Sequence, residues 1–519
     1  MKKIMRFFNN KFFLAICAGV LINLAFAPLN FFPAVFISLS LFYFLLEKKH
    51  SNKTVFFIGW CYGFGYFLAG VYWISIALLV DAQSFAWLIP FALTLIPAAL
   101  ALYFAMMALS YNFLVKKFSL SKNYEKFLIL ASCWLIFEIL RSFLFTGFPW
   151  NLLGYVWMFN DSLTQAASLF GAWGLSFFAV LISLLPILFF CERSKGDKIF
   201  FVVMVALLIM SFVYGNWRIK DEKILSDKNI KLRLVQGNIK QEMKWNQNQK
   251  YLNLIKQINL TNQKETSDIA AVIWSETSVP YAIDENSELI QKLQLAVPKQ
   301  KDGKGILITG ALRLKYVNDE ISNVWNSVFL IGNQGIIASY DKHHLVPFGE
   351  YVPLQKYLPF INKITDGAIG FSQGLGPQTI HSDSFSFSPL LCYEVIFSDE
   401  IINQQDRPDL LVNLTNDSWF GNSSGPYQHF DMARMRAVEY GIPLARVAST
   451  GITAFFDPFG RVVNQINLNQ EGIIDVELVK KLEPTIYSRY YCATLLLLVS
   501  LLVTFLYHKK NVIRQNYTS

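Results

Sequence analysis

Hydrophobic and polar positions divide the chain into an apolar first part, a long polar segment and a short apolar end. The long apolar stretches lie at about residues 12–28, 31–46, 54–79, 86–115, 126–145, 163–191, 199–215 and 488–507. Each approaches or exceeds the roughly 20 residues with which an α-helix crosses a bilayer. The pattern therefore predicts eight transmembrane helices. The predicted domains are a seven-helix membrane domain at 1–215, a polar domain at 216–485, and a last helix with its tail at 486–519.

The polar segment alternates short runs of strand character with amphipathic stretches, which predicts an α/β domain. The predicted strands are Ile230–Ile239, Ala270–Glu276, Ile306–Leu312, Asn323–Gly332, Ile336–Asp341, Pro389–Tyr393, Leu410–Thr415, Leu444–Ala448 and Thr453–Phe456. The predicted helices are Asn248–Glu265, Ser287–Ala296, Ile396–Gln404 and Tyr427–Tyr440. Asp457–Gly460 is predicted to be a turn.

The amino-acid composition indicates an integral membrane protein. Of its 519 residues, 53% are hydrophobic and only 16% are charged, too few to cover the surface of a soluble globular protein. The net charge of +9 comes largely from loops between the apolar stretches. It therefore indicates membrane topology and argues against nucleic-acid binding.

The basic residues predict the side that each loop faces. They fill alternate loops and the tail, as Lys48, Lys49, Lys53, Lys116, Lys117, Lys122, Lys126, Arg193, Lys195, Lys198, Lys509, Lys510 and Arg514. The loops at 28–33 and 81–85 have none, so the positive-inside rule places both termini in the cytoplasm and the polar domain outside it. The first stretch resembles a signal peptide but lacks a convincing cleavage site, which favours a retained helix.

Three different chemical groups stand at the ends of three predicted strands: Glu276, Lys342 and Cys392. Taken singly, such a carboxylate or ammonium is usually solvated, and a strand cysteine is usually packing. Cys392 is, however, the only cysteine of the polar domain, and an unpaired thiol in an oxidising compartment is a liability unless it is used or hidden.

Together the three groups have complementary chemistry. A thiol of ordinary pKa about 8.5 needs a base, which Glu276 can supply. Sulfur attack on a carbonyl develops an oxyanion, which Lys342 and the backbone N–H of Tyr393 can stabilise. The combination predicts nucleophilic catalysis by Cys392.

The order Glu–Lys–Cys and its flanking sequences resemble the nitrilase, or carbon–nitrogen hydrolase, superfamily, and within it the apolipoprotein N-acyltransferase family. The matching strings are Gln236–Ile239, Lys244-Trp245, Trp274–Thr277, His344–Pro353, Cys392–Glu394, Asn416–Gly421, Gly425–His429 and Met432–Ala437. Ser275 and Ile442 depart from the family pattern, which expects proline and arginine there. The resemblance implies an αββα sandwich for the polar domain, with Glu276 as proton acceptor, Lys342 as oxyanion stabiliser and Cys392 as nucleophile.

The resemblance also implies a two-step acyl transfer in the bacterial inner membrane, with the catalytic domain in the periplasm. Cys392 takes an acyl chain from a phospholipid, typically the sn-1 chain of phosphatidylethanolamine, and forms a thioacyl-enzyme. The amino group of the diacylglyceryl-cysteine at the N-terminus of an apolipoprotein then accepts the chain. The expected protein is a monomer without a cofactor.

Further residues of the matching strings have expected roles. Glu350 is expected to fix Lys342 and assist proton movement, the alternative being a surface residue in a turn between Pro347 and Pro353. Glu394 lies on the same side as Cys392 if the strand continues, and either tunes the site or holds a loop. A second set is expected to line an acyl-chain entrance, the alternative being packing or interfacial anchoring: Trp245, Tyr351, Trp419 and Phe420.

A metal site is considered and not predicted. His343 and His344 are adjacent and face opposite ways on a strand, and His429 adds no zinc-binding spacing. No phosphate-cradling glycine loop stands in the sequence, so no nucleotide cofactor is implied. In the membrane part, Glu138 and Arg141 are three residues apart on one predicted helix, which suggests a functional role or a role in holding that helix.

Two alternatives stay open at this point. The same triad would serve a membrane-tethered amidase that uses water as the acceptor. The second alternative is a non-catalytic membrane scaffold. The presence of all three groups, Glu276, Lys342 and Cys392, argues against it.

Overall fold

The computed structural model of the chain describes residues 10–191, 193–220, 226–283, 287–353, 355 and 370–491. The described residues fall into two compact units. The described residues within 1–75, 84–221 and 484–519 form one unit, and those within 76–83 and 222–483 form the other.

The first unit is helical, and its longer helices coincide with the predicted apolar stretches. They are α1 (Lys11–Leu21), α2 (Pro33–Glu47), α3 (Asn52–Gly70), α4 (Ile89–Lys117), α5 (Asn123–Phe143), α6 (Ala167–Leu184) and α7 (Lys195–Lys220). A single-turn helix occurs at Asp161–Thr164, and 3₁₀ segments occur at Ile22–Ala25, Ala86–Leu88, Leu144–Thr146, Leu153–Phe159 and Leu185–Phe189. Two more single-turn helices, Ile74–Ala77 and Ala82–Phe85, extend into the range 76–83 of the second unit.

Four helical stretches of the described chain are long and apolar enough to cross a membrane: Ala82–Lys117, Asn123–Thr146, Ala167–Phe189 and Lys195–Lys220. Lys11–Ala25 and Pro33–Glu47 are shorter apolar helices. The predicted last span lies almost entirely outside the described residues. The protein therefore has several apolar membrane helices, and the number eight stays a prediction.

Small residues let the helices of this unit approach closely. A Cβ atom on Gly59 of α3 would lie 2.5 Å from the Phe104 carbonyl oxygen of α4, and one on Gly19 of α1 would lie 2.0 Å from the Tyr62 carbonyl oxygen. Close backbone approach at glycine is a common basis of helix packing in membranes.

Glu138 and Arg141 of α5 both bind the backbone that follows the helix. Glu138 accepts hydrogen bonds from the Leu153 N–H at 2.8 Å and the Trp134 indole at 2.9 Å. Arg141 donates to the carbonyl oxygen of Trp150 at 2.7 Å and also to that of Phe148. The pair therefore fixes the segment 148–153 against its own helix.

The second unit contains two six-stranded sheets. The strands are β1 (Ser226–Gln236), β2 (Ile269–Ile273), β3 (Ile306–Val317), β4 (Glu320–Gly332), β5 (Gly335–Asp341), β6 (Ile380–His381), β7 (Ser386–Leu391), β8 (Leu410–Thr415), β9 (Leu444–Ala448), β10 (Thr453–Phe456), β11 (Val462–Ile466) and β12 (Gly472–Val479). The first sheet has the order β12-β1-β2-β3-β4-β5 and the second the order β11-β10-β9-β8-β7-β6. The runs β1-β2-β3 and β7-β8-β9 are parallel, as Leu234 opposite Ile273 and Leu391 opposite Leu414 illustrate.

Apolar side chains of both sheets meet in one core, which includes Leu234, Ile273, Phe387 and Val412. A second core lies between the first sheet and helices α8 (Gln247–Thr261) and α9 (Ser287–Gln294). Helix α10 (Gly425–Tyr440) contacts β9 of the second sheet. The predicted αββα sandwich is therefore confirmed, and the remaining short elements are Gln241–Lys244, Cys392–Ile396 and Asp417–Phe420.

The predicted helix at 396–404 is wrong. A 3₁₀ turn occupies Cys392–Ile396, and irregular backbone follows it. Tertiary contacts account for the difference, because the Ser398 carbonyl oxygen accepts from the Tyr440 hydroxyl at 2.6 Å and Glu400 binds two histidines. Strands β6, β11 and β12 were not predicted, and β7 ends at Leu391 instead of Tyr393.

Candidate active site

Glu276 follows the buried strand β2 and is itself only 6% exposed. Its Oε1 atom accepts a hydrogen bond from Asn326 Nδ2 at 2.7 Å, and its backbone oxygen accepts one from Lys244 Nζ at 2.8 Å. Gly310 of β3 lies against this turn, since a Cβ atom there would lie 2.5 Å from the Thr277 nitrogen. Contacts with Asn326, Lys244 and Gly310 therefore hold the turn that carries the carboxylate.

Lys342 follows β5 directly, and its side chain is 1% exposed. Its Nζ atom lies 2.9 Å from Glu350 Oε1 and 3.7 Å from Glu276 Oε1. Burial alone would lower the pKa of Lys342, but the two carboxylates outweigh it and raise the pKa above its ordinary value. The ammonium therefore stays charged in a buried site.

Glu350 is buried against Lys342, so its interpretation as a surface residue of the turn is wrong. Its Oε2 atom accepts from the Val346 N–H at 2.8 Å, and its Oε1 atom accepts from Asn326 Nδ2 at 3.2 Å. These hydrogen bonds hold the Glu350 carboxylate in contact with Lys342.

Cys392 is the first residue after β7 and has a positive φ of 50°. Residues other than glycine rarely adopt a positive φ, so contacts with the surrounding structure must stabilise this conformation of Cys392. Burial raises the pKa of the Cys392 thiol, the Glu276 carboxylate raises it further, and Lys342 and the Asn416 N–H oppose these effects. The resting sulfur is therefore a thiol that requires a base before it can attack.

Tyr393 and Glu394 belong to the 3₁₀ turn after Cys392, so the expectation of a continuing strand is wrong. Glu394 is fully buried, and its carboxylate accepts from the Leu391 N–H at 2.6 Å, the Tyr340 hydroxyl at 2.8 Å and the His343 N–H at 2.8 Å. Glu394 therefore binds the turn that carries the nucleophile. The Tyr393 ring is buried beside His344, with ring centroids 5.8 Å apart.

The four aromatic residues predicted to line an entrance are all half-buried: Trp245, Tyr351, Trp419 and Phe420. Lys250 lies over the Trp245 ring at 5.8 Å, and Phe420 lies 6.0 Å from the His429 ring. Their role as an entrance stays a prediction.

One group of possible metal ligands lies in this region of the described chain. Cys392, Asp417 and His429 each offer a ligand atom, all within 4.8 Å of one another. The carboxylate of Asp417 is, however, paired with Arg446, and Lys342 acts on Cys392. Two fixed cations beside the group oppose the binding of a third.

Several contributing residues were not singled out from the sequence. Asn326 donates hydrogen bonds to both Glu276 and Glu350. The feature of the sequence that could have identified it is a polar amide within the apolar run of β4. Lys244 belongs to a matching string, yet its bond to the Glu276 backbone could not be read from spacing. Burial lowers the pKa of Lys244 to about 8, with Glu276 and Cys392 opposing.

The chain matches two family models. Residues 18–185 match the apolipoprotein N-acyltransferase N-terminal domain, and residues 231–487 match carbon-nitrogen hydrolase. The apolipoprotein N-acyltransferase of Rickettsia prowazekii is 36% identical over 91% of this chain and 93% of its own length. That of Rhodopseudomonas palustris is 36% identical over 94% of each chain.

Solved structures similar to this chain include XC1258 of Xanthomonas campestris, a CN-hydrolase superfamily protein, with 18% identity and a TM-score of 0.36 over 48% of this chain and 90% of that one. Another is an amidase of Nesterenkonia, with 16% identity and a TM-score of 0.35 over 52% of this chain and 96% of that one. The identity and coverage of the full-length relatives decide the assignment. The chain belongs to the apolipoprotein N-acyltransferase family, acyltransferases of the carbon–nitrogen hydrolase superfamily.

Proposed function

We propose that the protein N-acylates the N-terminal diacylglyceryl-cysteine of apolipoproteins, using a phospholipid as acyl donor and Cys392 as the covalent carrier. The observation that carries this proposal is the buried contact of Lys342 with Glu276 and Glu350. The charges of Glu276 and Lys342 also act on the pKa of the Cys392 thiol. A base, a fixed cation and a thiol are the groups that acyl transfer through sulfur requires.

In the first step Glu276 takes the proton of the Cys392 thiol, and the sulfur attacks the ester carbonyl carbon of the phospholipid. Lys342 and the backbone N–H of Tyr393 stabilise the oxyanion; removing one such donor typically costs about 2.7–4 kcal/mol. The C–O bond then breaks, Glu276 returns the proton to the leaving oxygen, and lysophospholipid departs. Cys392 is left as a thioester.

In the second step the amino group of the apolipoprotein cysteine attacks the thioester. Glu276 accepts the amine proton, the C–S bond breaks, and the proton passes to sulfur. The amide product leaves and the Cys392 thiol is restored. Glu350 and Asn326 keep Lys342 and Glu276 oriented through both steps.

The membrane part suits the substrates. Extracting a lipid chain into water costs about 0.8 kcal/mol per CH₂ group, so both reactants are best handled by an enzyme that is itself anchored in the bilayer. We propose a monomer of the bacterial inner membrane with cytoplasmic termini. Its regions are the membrane domain at 1–215, the periplasmic catalytic domain at 216–485, and the last helix and tail at 486–519.

The test is mass spectrometry of the protein incubated with phosphatidylethanolamine in detergent micelles. We expect an acyl adduct on Cys392 that a diacylated lipopeptide discharges as the N-acylated product, and none in Cys392→Ala. An adduct that water discharges as fast as the lipopeptide does would favour the tethered amidase. A Cys392→Ala protein with full biological activity would favour the scaffold.

A further inference from the structure

A set of linked buried hydrogen bonds reaches the backbone carbonyl of Cys392 and takes no part in the steps above. Its members come from four elements or their ends: Asn413 of β8, Asp417, His429 of α10 and Arg446 of β9. All four side chains are fully buried. Burying a guanidinium, an imidazole and a carboxylate is costly unless they are paired and hydrogen-bonded, so their arrangement requires a reason.

His429 binds the nucleophile directly through its backbone. The Nε2 atom lies 3.1 Å from the carbonyl oxygen of Cys392. A carbonyl oxygen only accepts, so this nitrogen carries a hydrogen and donates.

The other ring nitrogen of His429 is held by Asp417. Nδ1 lies 2.8 Å from Asp417 Oδ1, nearer than the 3.4 Å that separates it from Arg446 Nη2. Burial would raise the pKa of Asp417, but Arg446 and His429 outweigh it and lower the pKa, so the carboxylate is an acceptor. The ring is therefore oriented at both nitrogens.

Arg446 and Asn413 link Asp417 to β7, the strand that precedes the nucleophile. Arg446 pairs with Asp417 Oδ2 and donates to Asn413 Oδ1 at 2.6 Å. Asn413 Nδ2 in turn donates to the carbonyl oxygen of Leu390 at 3.1 Å. The chain of bonds thus binds the carbonyl groups on both sides of Leu391, where β7 ends and the backbone enters the left-handed region at Cys392.

We propose that His429 is a positioning residue, which fixes the left-handed backbone of Cys392 through its carbonyl and so aims the sulfur for acyl transfer. Asp417 and Arg446 orient the imidazole for this task. The proposal rests on Cys392 being the nucleophile of the proposed function. A displacement of about 1 Å of a reacting group can reduce the rate about 10²-fold.

A different reading of the same residues is a cysteine–histidine–aspartate set in which His429 is the base. One nitrogen of His429 lies within 4.8 Å of the sulfur. Both nitrogens are, however, at hydrogen-bond distance from oxygen atoms, and Nε2 donates its hydrogen to the Cys392 carbonyl, so it has no free lone pair with which to take the thiol proton. The geometry favours orientation over proton transfer.

The test compares His429→Gln with His429→Asn in the full-length protein. The glutamine amide reaches the Cys392 carbonyl and donates but cannot act as a base, whereas the asparagine amide is one methylene too short. We expect His429→Gln to keep the acylation rate of Cys392 by phosphatidylethanolamine within about tenfold, and His429→Asn to lose about 10²-fold in kcat with KM little changed. The pH–rate profile of His429→Gln should parallel that of the unchanged protein. His381→Asn, at an exposed histidine of the same unit, is the control.

Equal loss in both variants, with one limb of the pH profile missing, would show that His429 is a base and overturn the proposal. Unchanged rates in both would overturn it as well. If His429→Asn does not fold, Asp417→Asn provides a second variant of nearly native size, and full kcat in it would contradict the proposal. If the unchanged protein forms no acyl adduct, the proposed function fails; iodoacetamide alkylation of Cys392 then still tests the positioning, with His429→Asn slower than His429→Gln.

Discussion

Asn326 donates its side-chain amide to Glu276 at 2.7 Å, inside a site that also contains a buried lysine. The same nitrogen lies 3.2 Å from Glu350. One neutral donor therefore separates two carboxylates that share a single ammonium. Carboxylates held this close repel each other unless donors and cations lie between them.

Replacing Asn326 by aspartate removes that donor and adds a third carboxylate. We expect Asn326→Asp to reduce kcat for acylation of Cys392 about 10²- to 10³-fold, as the loss of a catalytic-site donor does. The matched control is Asn323→Asp on the same strand, whose amide binds Ser372. Acylation kinetics followed by mass spectrometry measure both. Equal effects of the two substitutions would mean that Asn326 has no special role.

The charges around Cys392 predict opposite changes in its reactivity. Because Glu276 raises the pKa of Cys392 and Lys342 lowers it, Glu276→Gln should shift the pH at half-maximal iodoacetamide alkylation downward and Lys342→Met should shift it upward. Acylation should nevertheless fall in Glu276→Gln, by about 10²- to 10⁴-fold, because the base is lost.

Quantifying the labelled Cys392 peptide at a series of pH values checks this prediction. Glu242→Gln, at an exposed position, is the control for loss of one carboxylate. Shifts of the same sign in the two variants would exclude the proposed arrangement of charges.

His343 predicts a loss of stability at alkaline pH. Burial opposes its charge, but Glu394 and Glu400 outweigh burial and raise its pKa to about 9. Since the ordinary value is about 6.5, the stabilisation is fully present below that pH and is lost as the pH rises through 9, by an amount on the order of 3 kcal/mol. We expect the free energy of unfolding to fall between these pH values, and the fall to be reduced in His343→Gln.

Denaturant unfolding at about pH 6.5 and 9.5 measures this difference, and subtracting the variant from the unchanged protein removes the effects of other groups. His381→Gln is the control, because His381 is largely exposed and its partner Asp406 is only half-buried. A pH dependence that His343→Gln leaves unaltered would contradict the assignment.

The sequence predicted the parts of the site that depend on strand ends. Glu276 and Cys392 follow β2 and β7, buried strands that are recognisable as short, continuous apolar runs, and Lys342 follows the more exposed strand β5. The apolar stretches likewise coincide with α1 to α7, since lipid and core both demand long apolar helices.

The rest depended on contacts between segments far apart in the chain. From its local sequence Glu350 is a turn residue, and its burial depends on its hydrogen bonds to Lys342 and to Asn326 of β4. The segment 396–404 has helical periodicity, but its bonds to His343, His344 and Tyr440 hold it in another conformation. Local pattern carries no information on such partners, and tertiary contacts override propensity.

Gly310 provides a test of the backbone beneath Glu276. A Cβ atom at this position of β3 would lie 2.5 Å from the Thr277 nitrogen and 2.8 Å from Glu276 Cα, both backbone atoms that a rotamer change cannot move. Gly310→Ala must therefore displace the turn that carries Glu276, and overpacking of this kind costs about 1–3 kcal/mol of stability. The carboxylate would move relative to Lys342, so we expect kcat for acylation to fall about 10²-fold.

Gly370→Ala is the control, because the nearest neighbours of a Cβ atom there would lie 3.7 Å away. Measured together, acylation kinetics and denaturant unfolding separate the two effects. Full activity in Gly310→Ala would mean that the position of Glu276 tolerates this shift, and the geometric requirement for the base would then be wrong.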